Sequence, residues 1–132
     1  MRDGHVLAFD FGLRHIGVAV GQAVTCTASP LITLKAANGT PSWSDVGALV
    51  KEWAPTTLVV GLPLNMDDSE SEMSALARAF ADKLVRRFAL PVEMVDERLT
   101  TVAASQTDAR RVHEVAAALI AQTWLGADSP PG

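Results

Sequence analysis

Cysteine is almost missing from this 132-residue chain. Cys26 stands alone, which excludes an internal disulfide and any cysteine-built metal cluster. Its neighbours Thr25 and Thr27 favour strands, so Cys26 is expected as a small strand side chain. Long apolar runs are missing too. No stretch approaches the roughly 18 apolar residues of a transmembrane helix, and Asp10 and Arg14 interrupt the apolar N-terminal stretch where a secretory signal would lie. The expectation is a cytoplasmic protein with no membrane partner. Nor is there an excess of positive charge: 11 Lys and Arg face 15 Asp and Glu, a net charge of −4. The molecule as a whole therefore does not attract nucleic acid, and any phosphate contact must come from a local patch. No internal repeat, low-complexity segment or charge-rich, aromatic-poor tract argues for disorder.

What remains is a chain with 48% apolar residues, long enough for one core, read as a single domain over residues 1–132. Residues 5–10 and 15–20 read as two strands punctuated by Gly12 and Gly21, and residues 24–34 hold a third, interrupted near Pro30. Short turns between them predict an antiparallel meander. Asn38–Pro41 reads as a loop. Ser44 or Asp45 can then cap a helix with Val46, Leu49, Val50 and Trp53 on one face, ended by Pro55. Residues 57–61 are apolar on both faces, as in a covered parallel strand. Ser69 and Glu72 fit a capping box for a helix with Met73, Leu76, Ala77, Phe80, Leu84 and Phe88 inward. Arg78, Lys83, Arg86 and Arg87 lie on its other face, where solvation is the ordinary role. A fifth strand, residues 92–96, follows Pro91. A last helix runs from about Val112 to Trp124, with Val112, Val115, Ala116, Leu119, Ile120 and Trp124 inward. A meander followed by helical crossovers predicts an α/β fold: a five-stranded mixed sheet, three strands antiparallel and two parallel, flanked by helices. Right-handed crossovers place the later strands beside the first.

Asp10 is the most informative residue. It closes an apolar β-run, His5-Val-Leu-Ala-Phe-Asp10, before a glycine turn. Asp is depleted in strands, and a buried carboxylate needs a cation or donors around it. Two roles fit: holding a metal, or capping its own turn. In sheets of this kind ligands gather at the carboxyl ends of central strands. Asp10, the loop at 62–68 and Glu97 all follow such ends, so the topology can bring them into one crevice. Glu97 also fits a helix cap, and Arg98 can either hold a phosphate or pair with Asp96. Arg14 and Lys35 are further candidates for phosphate contact, and Asn65 for substrate contact.

Taken together, Phe9-Asp-Phe-Gly12 with Ile16-Gly-Val-Ala-Val20, Val60-Gly-Leu-Pro-Leu-Asn-Met-Asp67, Val95-Asp-Glu-Arg-Leu-Thr-Thr101 and Ala116-Ala-Ala-Leu-Ile120 resemble the YqgF or RuvX family of Holliday junction resolvase-like proteins. That family belongs to the ribonuclease H-like superfamily. The resemblance covers residues 5 to about 104 and resumes in the last helix. It implies a metal-dependent nuclease that processes the 5′ end of pre-16S rRNA in ribosome biogenesis. The alternatives are a resolvase of branched DNA and a catalytically weak nucleic-acid-binding factor of ribosome assembly. Carried over by position, Asp10 matches the first catalytic acid and Glu97 the second. His113 stands where the family has its third acid, three residues before the paired alanines. The segment between Thr101 and Val112 is shorter than the family's. The implied site is therefore Asp10, Glu97 and His113 as catalytic and metal-holding groups, with Asn65, Arg98 and Arg14 toward substrate. The implied cofactor is a divalent ion. Mg²⁺ takes oxygen ligands and keeps several waters, whereas an imidazole at His113 favours Mn²⁺ or later metals. The partners are an rRNA precursor or branched DNA, and the ribosome. The chain would act as a monomer or a homodimer, since junction cleavage needs paired sites.

Overall fold

The computed structural model describes residues 4–63, 71–96 and 112–127. The element order is β1 (His5–Asp10), β2 (His15–Gln22), β3 (Thr27–Ala37), β4 (Thr40–Pro41), α1 (Trp43–Trp53), β5 (Thr57–Leu62), α2 (Glu72–Phe88), β6 (Val92–Asp96) and α3 (Val112–Ala127). The strands form one sheet in the order β4-β3-β2-β1-β5-β6. β1 pairs antiparallel with β2 and parallel with β5, and β5 pairs parallel with β6. The expected meander, parallel pair and interior position of β1 are all present.

The sheet has six strands rather than five. The sixth is β4, a two-residue strand formed where a loop was expected at Asn38–Pro41. Asn38 and Gly39 both have positive φ, 51° and 83°, the backbone of a tight hairpin turn for which Asn-Gly is the favoured pair. Cys26 also departs from expectation. It lies exposed in the turn between β2 and β3 with φ 54°, and its thiol donates to the Ala23 carbonyl at 3.6 Å. β3 runs through Pro30, which pairs with Ala19 where the register shifts beside Val18. β4 pairs with Ala36 and Ala37, so among the described residues Pro30 has no strand on its outer side and lies beside a bulge, where a missing N–H is tolerated.

The side-chain period of two splits the sheet's residues between two apolar layers. Leu7, Phe9, Ile16, Val18, Leu58 and Val60 face α1 and α2, packing with Val46, Phe80 and Leu84. Val6, Ala8 and Val59 face α3, packing with Ile120, Ala121, Trp124 and Leu125. β5 is buried along its whole length, as a strand covered on both faces must be.

The helix caps sit two or three residues from where the sequence points. Ser42, not Ser44 or Asp45, caps α1: its hydroxyl accepts from the Asp45 N–H at 3.4 Å. At α2 the reciprocal pair is Ser71 and Ser74 rather than Ser69 and Glu72. The Ser74 N–H donates to the Ser71 hydroxyl at 3.2 Å, and the Ser71 N–H to the Ser74 hydroxyl at 3.0 Å. Glu72 falls in the first turn of α2 instead, where an acid still complements the helix dipole. On α2, Leu76 is exposed and Ala81 buried. On α3 the buried positions are Ala117, Ala118, Ile120, Ala121, Trp124 and Leu125, whereas Val115, Ala116 and Leu119 are only partly covered.

Candidate active site

Asp10 is the last residue of β1 and half-buried. It shares its face of the sheet with Val6 and Ala8, the face covered by α3. Across the ladder it is paired with Gly17 of β2. A Cβ on Gly17 would run into the His113 carbonyl group and the Glu114 nitrogen, so the first turn of α3 rests directly on the β2 backbone. That seating brings His113 to the same edge of the sheet as Asp10.

The two residues line one open cleft of about 480 Å³, together with Phe11, Gly12, Leu13, Arg14, His15 and Met73. The loop forming its floor is held by the hairpin beside it. The Ala36 N–H donates to the Arg14 carbonyl at 2.8 Å, and the Gly39 N–H to the Leu13 carbonyl at 2.9 Å. Gly39 is required there a second time, because a Cβ would sit 2.7 Å from the Phe11 ring. On the outer wall, the rings of His15 and His113 stack with centroids 5.0 Å apart and planes 16° from parallel.

The structure thus brings together three of the residues named from sequence: Asp10, Arg14 and His113. Lys35 does not line the cleft; it is exposed on β3, opposite His15. Glu97, Arg98 and Asn65 lie outside the described residues. Their flanks are placed: β5 and β6 run parallel to β1, and Leu62 at the end of β5 is paired with Asp96 at the end of β6. His15, Phe11 and Met73 were not singled out from sequence. His15 could have been, because residues 15, 17 and 19 of a strand share a face, and the face of Gly17 is the one that meets α3.

Among the described residues, no group of three or more His, Cys, Asp or Glu side chains is arranged to hold a metal ion. The donors that do share the cleft, one carboxylate and one imidazole, suit a divalent ion that keeps several of its waters. Arg14 lines the same cleft.

A profile of the RuvX family, described as Holliday junction resolvase, matches residues 4–127. A protein of Azotobacter vinelandii provisionally named pre-16S rRNA nuclease is 53% identical over 137 residues, covering 96% of this chain and 96% of that protein. A Pseudomonas aeruginosa protein with the same provisional name is 55% identical over 130 residues, covering 91% of this chain and 90% of its own length. Among solved structures, RuvC of T. thermophilus in complex with a Holliday junction substrate superposes with TM-score 0.56 at 14% identity, covering 94% of each chain. The fowlpox virus Holliday junction resolvase does so with TM-score 0.53 at 10% identity, covering 93% of this chain and 99% of its own. At such identities these neighbours speak for the fold alone, which is the ribonuclease H-like arrangement expected from the sequence.

Proposed function

The chain belongs to the RuvX family, and from that premise we propose that it is a divalent-metal-dependent nuclease of the cytoplasm that hydrolyses phosphodiester bonds in an rRNA precursor. The observation that carries the reading is the single cleft shared by Asp10 and His113 at the carboxyl end of β1. Asp10, His113 and Glu97 would hold the ion; Glu97 follows β6 directly. Bound there, Mg²⁺ or Mn²⁺ supplies an activated water and stabilises charge on the leaving oxygen. The chain's own groups do the rest. Arg14, at the cleft wall, draws in and orients a phosphate, and Arg98 and Asn65 contact the strand beyond it. Gly17 lets the first turn of α3 rest on β2, which keeps His113 beside Asp10. The provisional names of relatives at 53% and 55% identity favour RNA as substrate.

A second reading, resolution of branched DNA, is favoured by the family's description and by the RuvC-like fold. It needs paired sites and therefore a dimer. The two are separated by turnover on a precursor RNA and on a four-way DNA junction, with the oligomeric state measured under the same conditions. The RNA reading expects cleavage of the precursor by wild type, loss of cleavage in Asp10→Asn, and no two-fold cutting of the junction. Symmetric junction cleavage by a dimer, with the RNA left intact, would replace it with the resolvase. Tight RNA binding without turnover in either metal would leave an assembly factor that has kept the fold.

A further inference from the structure

A second groove, also of about 480 Å³, lies between the last turns of α2 and the start of α1, lined by Thr40, Trp43, Lys83, Arg86 and Arg87. Three cations gather there in a chain whose net charge is −4. One of them is already engaged: Arg86 pairs with Asp82 at 2.9 Å. Lys83 and Arg87 have no carboxylate partner among the described residues. Arg87 is held differently. Its guanidinium carbon lies 4.4 Å above the centroid of the Trp43 ring, and that ring in turn stacks on Phe80 with centroids 5.9 Å apart and planes 20° from parallel. An arginine laid on an anchored indole gives up its flexibility in advance.

The groove is joined to the Asp10 cleft through the aromatic layer. Phe80 touches Trp43 on one side and Phe11 on the other, the latter with centroids 5.3 Å apart. Phe11 follows Asp10 directly and lines its cleft. Thus a row of rings, Phe11, Phe80 and Trp43, links the candidate active site to the cationic groove. The groove combines a cation mounted on an aromatic, which accepts the face of an unpaired base, with ammonium and guanidinium groups for the backbone. Double-stranded nucleic acid does not offer unstacked bases to such a mount.

We propose that this groove is a second contact for single-stranded RNA, engaging nucleotides outside the Asp10 cleft: a base packs on the Arg87–Trp43 stack, and Lys83 takes a backbone phosphate. The inference rests on the nuclease reading and extends it from the cut site to the flanking strand. It makes affinity depend on substrate length, because only a strand long enough to leave the cleft reaches Arg87.

The test uses the full chain with Asp10→Asn, so that RNA is bound and not consumed. Affinity for oligoribonucleotides of about 4 and about 16 nucleotides is measured across a range of salt, with and without Lys83→Ala and Arg87→Ala. Both substituted side chains, Lys83 and Arg87, are exposed on α2, and a thermal melt checks that each variant folds like its parent. The expected result is that the double change weakens the longer RNA about tenfold or more, the scale of one lost base stack and one lost phosphate contact. It should also flatten the dependence of log affinity on log salt by about 0.7 per lost phosphate contact. Binding of the shorter oligomer should move by less than about twofold, on the same reasoning. Unchanged binding of the longer RNA, or equal loss for both lengths, would overturn the inference and leave the nuclease reading intact. Failure of the parent to bind either RNA would overturn both. Capture of an acidic peptide by the groove, with RNA binding unaffected, would assign it to a protein partner instead.

Discussion

Gly17 faces Asp10 across the β1–β2 ladder, and it is the residue on which α3 rests. Any side chain there must displace the His113 carbonyl or lift the helix. Gly17→Ala is therefore expected to cost about 1–3 kcal/mol by overpacking and to separate His113 from Asp10. The fall in turnover should exceed the fall in folded fraction, measured by denaturant titration and by rates at a temperature where the variant is fully folded. Wild-type stability and rate together would mean that α3 does not sit on β2 in this way. His113 carries a second expectation. Imidazole suits transition metals better than Mg²⁺, and a carboxylate suits Mg²⁺. His113→Asp should shift the ratio of rates toward Mg²⁺, and an unchanged Mg²⁺-to-Mn²⁺ ratio would place His113 outside the metal site. Asp10 was legible in the sequence because a carboxylate at the end of an apolar strand breaks the local pattern. The stack of His15 on His113 was not, because it joins residues far apart in the chain, and nothing in either local segment announces the other.

At the level of elements, the apolar spacing of α1 and α2 was enough to place both helices, since each has one apolar and one polar face. α3 was different. Its run from Val115 to Ile120, Val-Ala-Ala-Ala-Leu-Ile, is apolar all round, so periodicity gives the helix without giving its buried face. That face is chosen by the partner: Gly17 and Gly21 of β2 admit the helix backbone and the side chains of Ala121 and Leu125. The caps were misplaced for a related reason. Ser42, Ser44 and Asp45 are all good capping residues, and only the tertiary entry of the chain selects among them. At α2 the selected residue does more than cap. Ser74 is fully buried, and its hydroxyl donates to the Pro63 carbonyl while accepting from the Ser71 N–H. It thereby ties the end of β5 to the start of α2, on either side of the 64–70 segment that carries Asn65. Ser74→Ala removes half of the capping box and leaves the partly buried Pro63 carbonyl without its donor. The expected loss is about 1–3 kcal/mol, read as a lowered urea midpoint. A midpoint within error of wild type would show that the Pro63 carbonyl finds water instead.

Across the whole molecule, the strand order does what no single motif can. Three parallel strands, β1, β5 and β6, end at one edge of the sheet, so segments separated by tens of residues leave the core side by side. α3 closes the opposite face and returns His113 to that edge. The same topology was inferable from the order of elements, because short turns force antiparallel neighbours and helical crossovers force parallel ones. The extra strand β4 was not, although its Asn-Gly turn is a hairpin signal: a strand of two residues has no period to read. The proposed nuclease site is built on the carboxylate of Asp10. Its most direct test is single-turnover cleavage of a single-stranded precursor RNA in Mn²⁺ by wild type and by Asp10→Asn, with thermal melts of both. The variant is expected to lose cleavage by about a hundredfold or more, the scale of a lost electrostatic contribution to the transition state, while its melting temperature stays the same or rises. Cleavage by Asp10→Asn at the wild-type rate, or loss of cleavage only in step with loss of folding, would contradict it.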